Sequence, residues 1–449
     1  MAFDFNKDPV RLFGIWPQTP FPVEVSIYGY CSVSCSFCFA NLNRDAFDRD
    51  PNPVNSTASA LRKLDREWDD EYSPIGFFLR NRYPVCFSNT TDPFQRDEKT
   101  YRASEAFLSW CKERKVPVYI QTRGNVLSSD FDRYAPLLEP GRVVVAMSLC
   151  QLDDKLRKRF EPGAQSIESR WELAARLTDH GIPVVMACNP YVKAWVPSPV
   201  EYCKRAAAVG AKGVWLERLH FSAAQFGQVR ETYHDELYPA ANVNPGYFIR
   251  DLKEWYKATA DYGLDFFPTP YWDAYFGCAS KHPECADPKW LGGNTFDVAF
   301  QFTSMLEDTA RENAGKKLVV TWDDFKATLE HLGVPDQELD MSEFWGPFNS
   351  KVKADHKEYR ARLGKRNGLH EILRYYWNHP WHNNYLFWYL PYVQAVSTSD
   401  GNWLADEDGN LVGVRNPDIK WNGSRDFPEA GLEDALLFNL REVLSKMDD

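Results

Sequence analysis

The chain has 449 residues, 44% of them hydrophobic and 15% aromatic, and a formal charge of −11 from 52 Lys plus Arg against 63 Asp plus Glu. That length fits one large α/β domain with additions, or two domains, with enough apolar matter for a substantial core. The acidic balance argues against a surface that coats nucleic acid broadly, because phosphate affinity comes from Lys and Arg, and leaves only a local basic groove.

Residues 1–20 read as an N-terminal extension. They carry no basic segment leading into a long apolar stretch, so no signal peptide is expected. No apolar run approaches the roughly 18 residues of a membrane span, so no membrane association is expected. The ten cysteines are dispersed apart from one tight group, which fits reduced thiols in a cytoplasmic protein better than a disulfide-stapled secreted domain.

Between residues 21 and 225 a strand–helix rhythm repeats. Apolar, β-branched runs occupy 23–28, 84–89, 117–122, 143–149, 182–189 and 213–219. After the first, their starts fall about 30 residues apart, the length of a βαβ step. Helical stretches are expected over 98–115 and 166–180, the second ending at Gly181. Runs that are apolar throughout fit a parallel sheet covered on both faces. Six units predict a partial (β/α)6 barrel, with chemistry at the C-terminal strand ends. Beyond 225 the rhythm dissolves into an aromatic-rich, mainly helical extension, 226–449, expected to pack on the barrel. A DEDGN turn within 403–414 predicts a small hairpin there.

Directly after the first run comes CSVSCSFC, from Cys31 through Cys35 to Cys38. Three thiolates at C-x3-C-x2-C spacing on a tight loop can hold three irons of a 4Fe-4S cluster and leave the fourth open to a small chelating molecule. A structural zinc site would need a fourth ligand. The first histidine is His180 and the next cysteine is Cys86, so none lies near in sequence.

With this motif after the first strand of an α/β repeat, the chain resembles the radical SAM superfamily. The resemblance implies that the open iron chelates S-adenosylmethionine, and that one electron cleaves it to methionine and a 5′-deoxyadenosyl radical. It also implies an electron donor such as flavodoxin or ferredoxin. Phe37 matches the aromatic that packs on adenine in that family; ordinary packing is the alternative.

Farther on, Ser88, Asn89, Thr90, Asp92 and Gln95, then Glu98, resemble the (S/T)-x-TDP(Y/F)Q-x-E signature of the spore photoproduct lyase-related branch. Thr122-Arg123, Ser148, and Phe160-Glu161-Pro162 followed by Arg170 resemble its later elements. The match spans roughly 23–220. It implies that Ser88, Asn89, Thr90 and Asp92 receive the methionine ammonium, that Arg123 offers a carboxylate fork, and that Ser148 bonds the ribose. Arg170 either shares Arg123's part or holds Glu161. Simpler readings stand beside these: a turn or helix cap at 88–92, a surface cation at Arg123, a structural Glu161–Arg170 ion pair.

The lyase's hydrogen-donating cysteine has no counterpart in an ungapped reading, where Asn89 takes its place. Cys86, three residues earlier, fits a buried strand position better than a donor. Phe39 stands where the branch often has tyrosine. Glu217 and Arg218, ending the sixth run, face the expected substrate position. Cys278 and Cys285 with His282, and His379 with His382, are too few or too awkwardly spaced for further metal centres. The aromatic band over 375–392 suits core packing, with base stacking as the alternative. The branch resemblance implies a nucleobase, nucleotide or modified pyrimidine in DNA as substrate, in a lyase or rearrangement reaction. A small metabolite or peptide is the rival, and a non-catalytic protein binding SAM and a cluster is the third class.

Overall fold

The computed structural model describes residues 9–12, 23–38, 40, 55–71, 73–80, 82, 84–88, 90–219, 227–241 and 245–267. Beyond these it describes 311–312, 314, 317–319, 322–331, 338–340, 366–368, 402–405 and 411–413. An open eight-stranded sheet organises the molecule in strict chain order. Its strands are β1 (Val10–Leu12), β2 (Val23–Val25), β3 (Val85–Phe87), β4 (Val118–Thr122), β5 (Val143–Ser148), β6 (Val184–Tyr191), β7 (Gly213–Arg218) and β8 (Asp265–Phe267). β1 pairs antiparallel with β2, and the seven strands from β2 to β8 are parallel. The expected α/β fold class is therefore present, with one parallel strand, β8, beyond the six expected. That strand, Asp265-Phe-Phe, opens on a carboxylate and has no β-branched residue, so it does not register as an apolar run.

Helices fill the crossovers. They include α1 (Asn55–Asp69), α2 (Pro74–Arg80), α3 (Glu98–Tyr101), α4 (Ala103–Arg114), α5 (Asn125–Ser129), α6 (Phe131–Tyr134), α7 (Asp154–Phe160), α8 (Ile167–Asp179), α9 (Pro199–Ala208), α10 (His234–Ala241) and α11 (Pro245–Asp261). α8 begins where Ser166 accepts a hydrogen bond from the Ser169 amide, and Gly181 beyond its end takes φ +81°. Gly181 is the end signal read from sequence, and the Ser166 cap fixes the start. The helix expected over 98–115 is instead broken at Arg102, a left-handed residue at φ 52°. The break has a cause. The Glu98 carboxylate turns back to accept the Ser104 and Glu105 amides at 2.9 and 3.1 Å, so it caps a new helix rather than continuing the old one.

The sheet's two faces differ. On one, side chains such as Val85, Phe87, Val118, Ile120, Val143, Val145, Val184 and Met186 pack against the helices in one large core. On the other, Cys86, Tyr119, Val144, Ala146, Val185, Ala187 and Trp215 form a small separate cluster. Alternation along each strand puts Gln121, Ser148, Asn189 and Glu217 on this same inner face, toward the C-terminal strand ends. In the C-terminal part, Asn402–Ala405 pairs antiparallel with Leu411–Gly413 as the expected hairpin, and its other edge pairs with Lys317–Val319. Residues 271–285 and 369–393, with their cysteine, histidine and aromatic candidates, lie outside the described residues.

Candidate functional site

The three-cysteine loop leaves the C-terminal end of β2 and is pinned from two sides. Gln95 accepts from the Ser32 amide and donates to the Tyr30 carbonyl at 2.8 Å. From the other side, the Ser36 amide donates to the Phe160 carbonyl at 2.9 Å and the Gly163 amide donates to the Val33 carbonyl at 3.0 Å. A Cβ on Gly163 would stand 2.3 Å from the Ser32 carbonyl oxygen, so only glycine allows this approach. Cys31 and Cys35 are buried, Cys38 is half-buried, and all three are free thiols. Burial first, then Asp92 and Cys38, pushes the Cys31 thiol up to about 12. Burial also raises Cys35, against the pull of the nearby Arg123 guanidinium.

The three thiols therefore sense one another on one loop. Yet no three His, Cys, Asp or Glu side chains among the described residues are gathered closely enough for a single metal ion. A structural zinc ion would need a fourth ligand beside these thiols, whereas a 4Fe-4S cluster can take three and leave one iron open. The surroundings also fit a polar ligand. The hydroxyls of Ser32 in the loop, and of Ser88 and Thr91 after β3, are buried without a hydrogen-bond partner, a condition that native structures seldom leave uncompensated.

The segment after β3 is a working turn. Ser88 takes φ +63°, and its amide donates to the Val25 carbonyl at 2.7 Å. Thr90 shares a 3.0 Å hydrogen bond with Ser26, which donates to Glu24. Asp92 is committed to the fold: it accepts from the Phe94 amide, the Thr122 hydroxyl and the Arg123 amide at 2.8, 2.8 and 2.7 Å. It thus ties the end of β3 to the end of β4. Asn89 lies outside the described residues.

Glu161 joins the remaining candidates. It has no exposed surface, and it accepts from Arg170 at 2.8 Å and from Arg123 through Nε. Arg170, also fully buried, donates to the Ser148 carbonyl at 2.8 Å and to the Gln165 carbonyl. Burial pushes the Glu161 carboxyl up, but Arg170 and then Arg123 outweigh it and hold the group below the ordinary carboxylate range. Arg123 is no surface cation, since its side chain is 15% exposed. Its guanidinium lies 5.8 Å from the Phe37 ring centre and 3.9 Å from the Cys150 sulfur. Phe37 is buried and packs on Trp195, with centroids 5.6 Å apart.

Ser148 stands on the inner face, donating to Asn189 at 3.3 Å and accepting from Gln121 at 3.5 Å. Cys86 is buried in β3 on that face, beside Tyr119. Glu217 is half-buried at the end of β7, and for Arg218 the backbone alone is described.

No family model matches this chain. Uncharacterized proteins of Mycobacterium tuberculosis (strain ATCC 25618 / H37Rv) and Mycobacterium bovis are each 25% identical to it over 219 residues. The match covers 46% of this chain, and the chain spans 62% of the length of these curated relatives. Among solved structures, it is similar to Streptococcus suis SuiB bound to precursor peptide SuiA, with 18% identity and a TM-score of 0.38 over 55% of this chain and 48% of that one. It is also similar to a spore photoproduct lyase mutant, with 12% identity and a TM-score of 0.38 over 57% and 80% of the two chains. A third structure, SuiB bound to S-adenosylmethionine, gives 15% identity and a TM-score of 0.32 over 54% and 45%.

Three residues of this site escaped the reading of the sequence. Gly163, directly after the Phe-Glu-Pro element, had a signal in being glycine beside a candidate motif. Cys150 had none: its thiol, pushed up to about 12 by burial and Glu161, lies among Asn189, Glu161 and Arg123. Gln95, quoted within its motif without a role, is the residue that holds the cysteine loop from β3's side.

Proposed function

We propose that this chain is a radical SAM enzyme. The observation that carries the reading is the three-thiol loop at the C-terminal end of the first parallel strand, locked between Gln95 and residues 160–163. Cys31, Cys35 and Cys38 would hold a 4Fe-4S cluster, which when bound supplies the electron that cleaves S-adenosylmethionine to a hydrogen-abstracting 5′-deoxyadenosyl radical. The chain's own residues orient and exclude. Asp92 and Gln95 fix the loop against the ends of β3 and β4, while Glu161 keeps Arg123 charged and placed beside Cys35 and Phe37. The unpartnered hydroxyls of Ser32, Ser88 and Thr91 are donors and acceptors for the polar end of the cofactor. Ser148, on the inner face, would bond its ribose.

We further read the substrate as a nucleobase, nucleotide or modified pyrimidine in DNA, converted in a lyase or rearrangement reaction, with a flavodoxin- or ferredoxin-like protein donating electrons. This rests on the branch resemblance of residues 88–98 and 160–170 and on the neutral polar groups of the inner face. The test is anaerobic reconstitution with iron and sulfide, then dithionite and S-adenosylmethionine, with 5′-deoxyadenosine measured by mass spectrometry. Wild type is expected to take up about four irons and release 5′-deoxyadenosine, and Cys35→Ala to lose both. Iron uptake that survives in Cys35→Ala would sink the reading.

A further inference from the structure

The last turn of α7 carries an anchor of the cysteine loop whose own support comes from elsewhere in the chain. Phe160 ends that helix, so its carbonyl has no partner within the helix and is free to accept from a neighbouring segment. It accepts from both the amide and the hydroxyl of Ser36, at 2.9 and 3.4 Å. Ser36 lies between Cys35 and Cys38, whereas the Gln95 contact falls on the Ser32 amide, beside Cys31. The Phe160 contact is therefore the one that bears on the two later thiols.

Residues past β7 grip this helix end. A short helical turn, Glu231–Tyr233, leads into α10, and the Tyr233 hydroxyl donates to the Arg159 carbonyl at 3.3 Å. Arg159 answers with its guanidinium, which donates to the Thr232 carbonyl at 2.9 Å and pairs with Glu236 at 2.6 Å. The Tyr233 ring centre lies 5.4 Å from that of Phe160. Neighbouring carbonyls of one helix end are thus taken in turn, that of Arg159 by Tyr233 and that of Phe160 by Ser36. A second line runs through the rings: Phe160 packs on Trp195 at 4.5 Å, and Trp195 on Phe37 at 5.6 Å. Phe37 immediately precedes Cys38. The gripping segment has a footing of its own, since Val229 and Leu237, on either side of Tyr233, are buried in the main core.

We infer that Tyr233 is a positioning residue for the cysteine loop, fixing the last turn of α7 and through it Ser36 and Phe37. It acts through Phe160 in two ways, by its hydrogen bond to the preceding carbonyl and by ring contact. The Arg159–Glu236 ion pair contributes little by comparison, because the two side chains are 49% and 32% exposed and water screens them. The geometry that Cys35 and Cys38 present to a cluster is then set in part from outside the strand repeat that carries them. The inference rests on the proposed function for what the thiols hold, though not for how the loop is held.

Iodoacetamide labelling of the cluster-free, full-length chain, read thiol by thiol by mass spectrometry, tests the inference. Tyr233→Leu removes both hydroxyl and ring. It is expected to speed labelling of Cys35 and Cys38 about tenfold, the opening that follows loss of one hydrogen bond and one ring contact. Tyr233→Phe keeps the ring and should give a smaller rise, about threefold. Cys31, held from the Gln95 side, and Cys111, buried in α4, should keep their wild-type rates in both variants. Glu236→Gln should change each rate by less than about twofold. Cys35 and Cys38 rates that stay at wild type in Tyr233→Leu, or a rise matched at Cys31 and Cys111, would overturn the inference. Should Tyr233→Leu not fold, a Tyr233→Phe protein that labels like wild type overturns it equally. The expected labelling pattern in a chain whose wild type takes up no iron sinks the radical reading alone. Full iron uptake without the labelling response sinks this inference alone.

Discussion

Two glutamates without solvent exposure, Glu98 and Glu161, stand in the two segments that flank the cysteine loop, and they are satisfied by different chemistry. Glu98 collects neutral donors: each of its oxygens accepts one tyrosine hydroxyl and one helix amide, from Tyr28 and Ser104 on Oε2 and from Tyr134 and Glu105 on Oε1. Burial and the Glu98 charge in turn raise both phenols, so neither tyrosine ionises in the ordinary range. Glu161 collects two guanidinium groups instead. A carboxylate held by hydroxyls and amides staples helices together, while one held by Arg123 and Arg170 places charge beside the thiols. The first is a device of the fold and the second a device of the site.

Removing the Glu161 charge tests this contrast with the largest effect. Glu161→Gln leaves Arg123 and Arg170 as buried cations lacking their anion, and is expected to cost about 3–5 kcal/mol in denaturant unfolding. The pH dependence follows from the depressed carboxyl. Between the folded and the unfolded pKa the folded protein binds fewer protons than the unfolded chain, so this contribution is complete above the ordinary glutamate range of about 4.3. It is lost as pH falls through the depressed folded value. The wild-type and Glu161→Gln stability curves should therefore converge in acid. A constant gap down to the acid limit would show that the ion pair is not what Glu161 supplies.

Gly163→Ala comes next, because it acts on the same segment through shape alone. The new methyl would meet the Ser32 carbonyl at 2.3 Å and the Val33 Cα at 2.8 Å, and overpacking of this kind costs about 1–3 kcal/mol. Both contacts lie between Cys31 and Cys35, so the cysteine loop must move. Iodoacetamide labelling of the cluster-free protein should then speed up at Cys35 and stay unchanged at Cys111, buried in α4. Equal acceleration at both would indicate global loosening instead.

How far the sequence disclosed this follows from the range of each interaction. The parallel strands were legible because full burial on both faces writes continuous apolar runs, as in 143–148, and the cysteine loop because its spacing is local. The break at Arg102 was not legible, since it depends on one carboxylate folding back on amides six and seven positions ahead. Asp92 was read toward the cofactor, yet its partners lie mostly on β4, about thirty residues away. The partnership of Arg123 with Glu161 was hidden for the same reason. Each residue stood out alone, but only the closeness of the ends of β4 and β5 turns one toward the other.

Glu98→Gln reaches the other side of the comparison. With two donors on each carboxylate oxygen, the amide nitrogen of glutamine must face two of them whichever way it is turned. The expected cost is about 1–3 kcal/mol, with a lowered barrier to separating α3 from α4. No charge near the thiols changes, so Cys35 labelling should keep its wild-type rate. A Cys35 response as large as that of Gly163→Ala would erase the distinction between fold device and site device.

The smallest effect sets the baseline for the others. Ser166 caps α8 by accepting from the Ser169 amide at 3.2 Å, and Ser166→Ala should cost about 1 kcal/mol, the usual worth of such a cap. Yet α8 also carries Arg170, whose guanidinium must reach both Glu161 and the Ser148 carbonyl. If the first turn frays, Arg170 still sits in the second, held by three acceptors. The Cys35 labelling rate should therefore remain at the wild-type value while unfolding shifts. A labelling change here, at so small a loss of stability, would mean that the cysteine loop reports the helix end through Arg170. The Glu161 node would then extend to the cap itself.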